Sequence, residues 1–414
     1  MDKALISRSL LSLAMLGALV GVSACGDEDP KEGTVDQPVG VGRYGGDCKD
    51  GMDRCTDQFG APLCPVHSGY DGDDLAVCQP KDLTEGILLH YGPKDYNNPE
   101  EINKYKLAAY GENENCVYVR TTNTEPVWID TFHGRMRPES HHLIVTIAPS
   151  WPEGVVEGEP VDCDQSEAFG SRWLLGSQDD QIDLEVQGQL PGSLAAKPGD
   201  PEYGAGQVVQ PNSILRIDMH YVNGTDKDIL REGWVYLKAV PAADVVTPVD
   251  MITFFQGSIS VPPNSKGTVT ARGRCEVPSD RYVGMVTGHF HKNGTRFSVW
   301  YEPAGGTPTL IYQTRDWDTP GNAWFTPRIT NPVIDDNNIW GAASGYIHVK
   351  PGDYISFECE FDNPTSTPVS FGELGRDQMC NVFGVYYPSN GDVWNCGCAG
   401  TLCFGGADAS KVGI

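Results

Sequence analysis

From about residue 84 onward the chain is a succession of short runs rich in β-branched and aromatic residues. CVYVRTT, HHLIVTIA, SILRIDMHYV, GWVYLKAV, MITFFQGSISV, YVGMVTGHFH, TRFSVWYE and NVFGVYY follow one another, punctuated by Gly, Pro, Asn and Asp. Nothing in this stretch holds a 3.6-residue period beyond a few turns, so the pattern predicts an all-β chain. The expected architecture is two consecutive antiparallel β-sandwiches of jelly-roll-like type over residues 84–240 and 241–405. The break falls in the Pro- and Asp-rich link VPAADVVTPVD.

Upstream the pattern changes. MDKALISRSLLSLAMLGALVGVSAC has a short basic start, an apolar run and small residues before a cysteine, the order of an export signal over residues 1–25. Its end resembles a lipobox, with Cys25 carrying lipid as first residue of the mature chain; a plain cut near Ala24 is the other reading. No later apolar run approaches the ~20 residues that span a bilayer, so contact with a membrane is expected only through that lipid. Residues 26–40 are acidic and rich in Gly and Pro, with little to bury, and read as a tether. Residues 41–80 hold Cys48, Cys55, Cys64 and Cys78 among many Gly and Asp, the profile of a small module in which disulfides replace a core.

A formal charge of -26 over 414 residues excludes nucleic acid as an expected partner and fits a bacterial cell-envelope lipoprotein or, failing an anchor, a secreted protein. Setting Cys25 aside leaves twelve of the 13 cysteines, an even number in an exported chain, read as disulfides. Metal binding by Cys396 and Cys398, or by the four upstream cysteines with His67, is the competing reading, though neither has the spacing of a zinc site.

The histidines carry the candidate chemistry. In T-G-H-F-H-K-N-G, His289 and His291 are two apart and so share a strand face. Asn293-Gly294 behind them predicts a type I′ hairpin, placing the pair at a strand end. His220 ends the similar run ILRIDMHYVNGT. His141 and His142 are adjacent and face opposite sides of a regular strand, so both reach one metal only if the strand is twisted or one ring uses its nearer Nδ1. Met379, in GRDQMCNVFGVYYP, is a soft ligand suited to Cu(I) or else core filler.

His-His, then His-Tyr-x-Asn, then His-x-His before a turn, then Met-Cys in a β run resembles the type II copper, ascorbate-dependent monooxygenases, the family of the peptidylglycine α-hydroxylating and dopamine β-hydroxylating enzymes. The resemblance covers about residues 84–405, and its force lies in the joint occurrence of the motifs. It implies two copper ions, one on each domain, facing a solvent-filled cleft. The first would be held by His141, His142 and His220, and the second by the catalytic set His289, His291 and Met379, where O2 binds and a C–H bond is cut. It also implies Cys116 paired with Cys163, Cys359 with Cys380, and Cys275 with Cys396 or Cys398. Asp218, two before His220, either orients a ring or is an exposed acid.

Where the peptidylglycine branch anchors a substrate carboxylate with an arginine and a tyrosine, this chain has Thr287 and Phe383, while Asn381 matches. The loss of charge-assisted bonds of roughly 1.5–3 kcal/mol each disfavours a peptidylglycine substrate. The segment DWDTPGNAWF either lines the cleft or fills a loop. His133 reads as a surface or outer-shell group, and His67, His90 and His348 as structural. The function implied is an exported monooxygenase that hydroxylates a small or peptide-like substrate with O2 and ascorbate or another one-electron donor. The alternative is a surface protein that binds copper or a ligand without turnover.

Overall fold

In the computed structural model the described residues run from 86 to 406, apart from 96–97, 138, 164–170, 178–180, 186–195, 319, 328–332, 335–338, 341–344, 373, 390–392 and 401. Upstream, the strands Cys55–Thr56, Pro62–Val66 and Val77–Pro80 form one antiparallel sheet. The expectations for residues 1–40, Cys25 included, and for the side chains of the cysteine-rich module lie outside the described residues.

The rest is almost entirely strand, in four main sheets. Ser140–Ala148, Ile214–Val222 and Glu112–Arg120 are central to a five-stranded sheet, with Arg172–Ser177 and Val161–Asp162 at its edges. A six-stranded sheet is built around Val127–Met136 and Gly233–Val240. Between the two lie Val117, Val119, Val145, Leu215, Ile217 and Met219 of the first sheet, packed on Ile129, Phe132, Val235 and Leu237 of the second. Further along, a seven-stranded sheet containing Asp250–Gln256, Arg281–His289 and Asn381–Tyr387 faces a six-stranded one containing Ser265–Glu276, Gly294–Glu302 and Tyr354–Asn363. Ile252, Phe254, Val286, Val382 and Trp394 meet Phe297, Val299, Phe357 and Phe361 between them. These are two β-sandwiches, as the short alternating runs predict. Among the described strands two pairs are parallel and interrupt the antiparallel pattern: Asp250–Gln256 with Trp394–Ala399, and Ala205–Val209 with Thr247–Pro248.

The one described α-helix, Pro99–Tyr105, shows why helix is scarce here. Asn98 caps it by accepting from the Glu100 N–H at 3.0 Å, Glu100 and Glu101 occupy its positive end and Lys104 its last turn. Those local signals sustain only two turns before the β-patterned sequence resumes.

Alternation leaves each sandwich with outward faces, and two of these are also covered. On Ile214–Val222, Leu215, Ile217, Met219 and Tyr221 face the first core, which turns Arg216, Asp218 and His220 outward, yet all three are buried. On the seven-stranded sheet, Met285, Val385 and Tyr387 point away from their own core and join the first. Trp173 and Ile144 of the five-stranded sheet pack on Phe255, Met251 and Phe383 of the seven-stranded one. The two sheets therefore bury their outward faces against each other.

Asp250 fastens this junction. Its carboxylate accepts from Arg172 Nε at 2.6 Å and from Ser389 Oγ at 2.6 Å, and Arg172 donates onward to the Val208 carbonyl at 2.5 Å. Removing the acid leaves a largely buried guanidinium without its partner. Asp250→Ala is expected to destabilise the protein by roughly 3–5 kcal/mol, read from equilibrium urea unfolding of the disulfide-intact chain.

Candidate metal centre

The covered faces carry the histidines. Across the ladder, Met219 faces Leu143 and His220 faces His142, but Tyr221 falls opposite Ser140, so His141 is the additional residue of a β-bulge. Such a bulge re-aims a side chain, and it resolves the conflict between adjacent positions and opposite faces. The ring centroids of His141 and His142 are 5.4 Å apart, and each lies 5.0 Å from that of His220. One ligand atom from each of the three fits within 4.8 Å of the others.

His289 ends the strand Arg281–His289 on the face shared with Thr287, and His291 follows it, its ring centroid 5.1 Å away. The turn behind them differs from the predicted hairpin. Gly294 N–H donates to the His291 carbonyl at 2.7 Å, neither Asn293 nor Gly294 has positive φ, and the strands on either side belong to different sheets. The chain here turns a corner from one sheet of the sandwich to the other. Glycine is needed at 294 because a Cβ there would lie 1.9 Å from the Phe290 ring.

Met379 lies between Asp377, which is hydrogen-bonded to the His291 ring, and Asn381, which is paired with His289 in the ladder. Asn381 is the ladder partner of His289, and its amide N–H donates to Met379 Sδ at 3.4 Å. The Asp377 carbonyl accepts from His291 Nδ1 at 3.1 Å.

The expectation of two sets separated by a solvent-filled cleft is corrected by the distances. His141 lies 6.3 Å from His289 and 5.9 Å from His291, and His142 lies 6.4 Å from His289, centroid to centroid. The five imidazoles form one contiguous, largely buried cluster. The reason is the apolar packing of Trp173, Phe255 and Phe383, which draws the two sheets together beside it: Phe383 lies 4.9 Å from Trp173 and 6.3 Å from His289.

Several rings have outer partners that sequence reading missed. His220 Nε2 lies 3.1 Å from Glu112 Oε1, and His142 Nε2 lies 3.4 Å from Glu114 Oε1. The signal was present in E-N-E-N-C (112–116), two acids on one face of the strand paired with that of His220. Asp218 does not take this role. Its two oxygens accept from Arg216 Nε at 2.7 Å and Nη2 at 2.9 Å, and burial pushes its carboxyl up to about 6 against the pull of that guanidinium.

These partners determine which nitrogens are left. A carbonyl only accepts, so His291 Nδ1 carries the proton and Nε2 keeps a lone pair; a carboxylate at His220 Nε2 likewise leaves Nδ1 as the lone-pair atom. His291 Nε2, His220 Nδ1 and His141 Nε2 are buried with no hydrogen-bond partner among the described residues. Buried polar atoms normally have partners, and a metal ion would supply one to each. An imidazole-thioether donor set fits copper in both oxidation states. Burial, with the neighbouring rings adding to it, lowers His141 to about 3 and His220 to about 2, and holds His289 and His291 below the ordinary range as well. All four rings are therefore neutral at neutral pH, the form in which an imidazole can bind a metal.

The other sequence candidates have structural roles. Cys116–Cys163, Cys359–Cys380, Cys275–Cys396 and Cys398–Cys403 are disulfides, which accounts for the cysteine groupings that otherwise have metal-like spacing. Thr287 Oγ1 donates to the Gly321 carbonyl at 2.7 Å. Phe325 enters the second core and Trp324 packs on the first, so these aromatics of DWDTPGNAWF serve packing. His90 pairs with the buried Glu232 at 2.8 Å, His133 stacks on Tyr236, and His348 pairs with Asp280 at 2.7 Å.

Residues 341–402, which include Met379, Cys380 and Asn381, match the family model "Copper type II ascorbate-dependent monooxygenase, C-terminal domain". The resemblance drawn from the motifs is thus found again over that segment. No curated protein matches the chain. Among solved structures, PBCV-1 VP54 fitted into a reconstruction of the virophage Sputnik is 6% identical, with 74% of this chain and 94% of that chain covered at a TM-score of 0.23. The infectious bursal disease virus VP2 subviral particle is 9% identical (75% and 73% covered, TM-score 0.15), and a putative secreted protein from Eubacterium rectale 7% (72% and 78%, 0.17). At those TM-scores the likenesses carry no argument.

The lowered histidine values set a pH dependence for the metal-free protein. In the unfolded chain His141 and His220 titrate near ~6.5, so below that pH the unfolded state takes up protons that the folded state refuses until about 3 and about 2. Stability is full above ~6.5 and is expected to fall with pH beneath it by up to about 1.4 kcal/mol per pH unit for each ring. Urea midpoints of the metal-free protein between pH 7.5 and 4 measure this.

Proposed function

We propose that this chain is an exported copper monooxygenase that inserts one atom of O2 into a substrate C–H bond. The observation that carries the reading is the convergence of five imidazoles, three of them with buried nitrogens lacking hydrogen-bond partners among the described residues, beside the Met379 segment that matches the copper monooxygenase family. His141, His142 and His220 would hold one copper, and His289, His291 and Met379 a second. The copper ions, when bound, supply one-electron storage and oxygen activation. The overall balance is a C–H bond, O2, two electrons and two protons giving an alcohol and water, with ascorbate or another one-electron donor as the electron source.

The chain's own residues make the site ready for this. Glu112 and the Asp377 carbonyl hold the protons of His220 and His291 on the nitrogens away from the metal side, so the donor atoms need no deprotonation at neutral pH. Asn381 directs the thioether by its N–H to Met379 Sδ. Apolar packing around the rings restricts water, which would otherwise divert reactive oxygen species.

The two positions at which the peptidylglycine branch carries its carboxylate anchor are uncharged here. Thr287 spends its hydroxyl on Gly321, and Phe383 presents an aromatic ring between His289 and Trp173. This supports a substrate recognised through apolar or aromatic surface and not through a terminal carboxylate. Export is supported by the disulfides and by the leader-like residues 1–25, with Cys25 as the proposed lipid carrier.

Metal analysis of the reconstituted protein is expected to give two coppers per chain, and oxygen uptake with ascorbate to depend on an apolar or aromatic substrate. Met379→Leu should keep the first copper and lower substrate oxidation by more than about 100-fold, beyond the 10–100-fold typical of outer-shell changes. One zinc and no copper would refute the reading; two coppers without oxygen uptake would leave a copper-holding surface protein.

A further inference from the structure

We infer that Glu112 is a positioning residue that ties the first histidine set to the methionine loop, so that metal held through His220 and order in residues 374–380 reinforce each other. The inference rests on the copper reading above and adds a coupling between its two halves. Glu112 lies on the Glu112–Arg120 strand of the first sandwich, and its Oε1 does two things at once. It lies 3.1 Å from His220 Nε2, and it accepts the Gly375 N–H at 2.6 Å from a turn of the second sandwich, 263 residues further along the chain.

That turn is bonded to the other set too. Asp377 N–H donates to the Leu374 carbonyl at 2.7 Å, closing the turn, and the Asp377 carbonyl accepts from His291 Nδ1 at 3.1 Å. Two residues on stands Met379, and Asn381 next binds its sulfur. One short segment is therefore held at Gly375 by the acid that orients His220, and at Asp377 by a ring of the second set. A continuous run of hydrogen bonds joins His220, Glu112, Gly375, the turn and His291.

The coupling follows from the chemistry of the shared oxygen. Among the described residues His220 Nδ1 is a buried lone-pair atom with no hydrogen-bond partner, so a metal there would fix the ring, and its Nε2–H would then fix the Glu112 rotamer. A carboxylate already held in place offers Gly375 N–H a preorganised acceptor at lower entropic cost, and charge-assisted bonds of this kind are the stronger ones. By linkage, a well-ordered loop must in turn favour metal at His220. Glu112 is also a safe residue to change: its side chain is 23% exposed, so truncation leaves no deeply buried charge alone.

The test is hydrogen–deuterium exchange of residues 374–380 in the full chain, without metal and during titration with copper alone. Glu112→Ala is expected to speed exchange of this segment by about tenfold in the metal-free protein and to weaken copper at the first set by about 10–100-fold. Glu112→Gln, whose amide oxygen still accepts from Gly375 N–H, should restore the slow exchange while leaving copper affinity reduced. His220→Ala should lose the first copper yet keep the metal-free loop protected. In the wild type copper should slow exchange at 374–380, and in Glu112→Ala it should not. Unchanged exchange in Glu112→Ala, or an equal copper response in that variant, overturns the inference. A wild type that binds no copper refutes the functional reading and the metal-linked half of the inference, while the Ala and Gln comparison still decides whether Glu112 orders the loop.

Discussion

The structure depends on one constraint: the outward faces of two sheets, each already half of a sandwich, are buried against each other. A sheet with one wet face reads as alternating apolar and polar residues, whereas a sheet covered on both sides must find apolar or neutral partners at every position. In Ile214–Val222 the even positions Arg216, Asp218 and His220 are buried without being apolar, and each has a specific solution. Arg216 and Asp218 neutralise one another, and His220 donates its Nε2–H to the Glu112 carboxylate at the rim. The apolar share of the junction, Trp173 with Phe255 and Phe383, supplies the attraction that brings the polar share together.

Five imidazoles, each with its ring centroid 5.0–5.1 Å from another, can share such a place only if most are neutral, because charged rings at that separation in a poorly solvated site repel strongly. Burial favours the neutral form of His141, His220, His289 and His291, and a neutral imidazole keeps a lone pair that a metal could use. The same packing that makes protonation costly thus prepares the site for a cation, and the partnerless nitrogens mark where coordination would replace hydrogen bonding. Glu112 and Glu114 set negative charge at the edge of the first set, which further favours a bound cation.

Much of this was legible beforehand. Two-residue alternation put His289 and His291 on one face, although the strand ends at His289 and His291 lies just past it, and Gly and Asn punctuation placed His220 near a strand end. The order of the motifs pointed to a ligand set drawn from distant parts of the chain. The acids at 112 and 114 were readable by the same alternation but carry no motif of their own. Less legible were features that depend on a neighbour. Asn293-Gly294 has the composition of a hairpin turn, yet the space left by Phe290 makes it a corner between sheets. Asp218 has the right face to orient His220, but Arg216, equally close in sequence, takes both its oxygens.

The sequence by itself determined the all-β architecture, the strand ends on which the histidines sit and the chemical identity of the candidate donors, because side-chain alternation and turn chemistry are local properties of the chain. Only the tertiary structure decided that His141 and His142 converge, since a bulge is defined by the register of the strand alongside. It alone decided that the two histidine sets touch, since that separation follows from how two distant apolar faces fit together. Such a fit depends on the summed shape of residues some hundreds of positions apart, which no local pattern encodes.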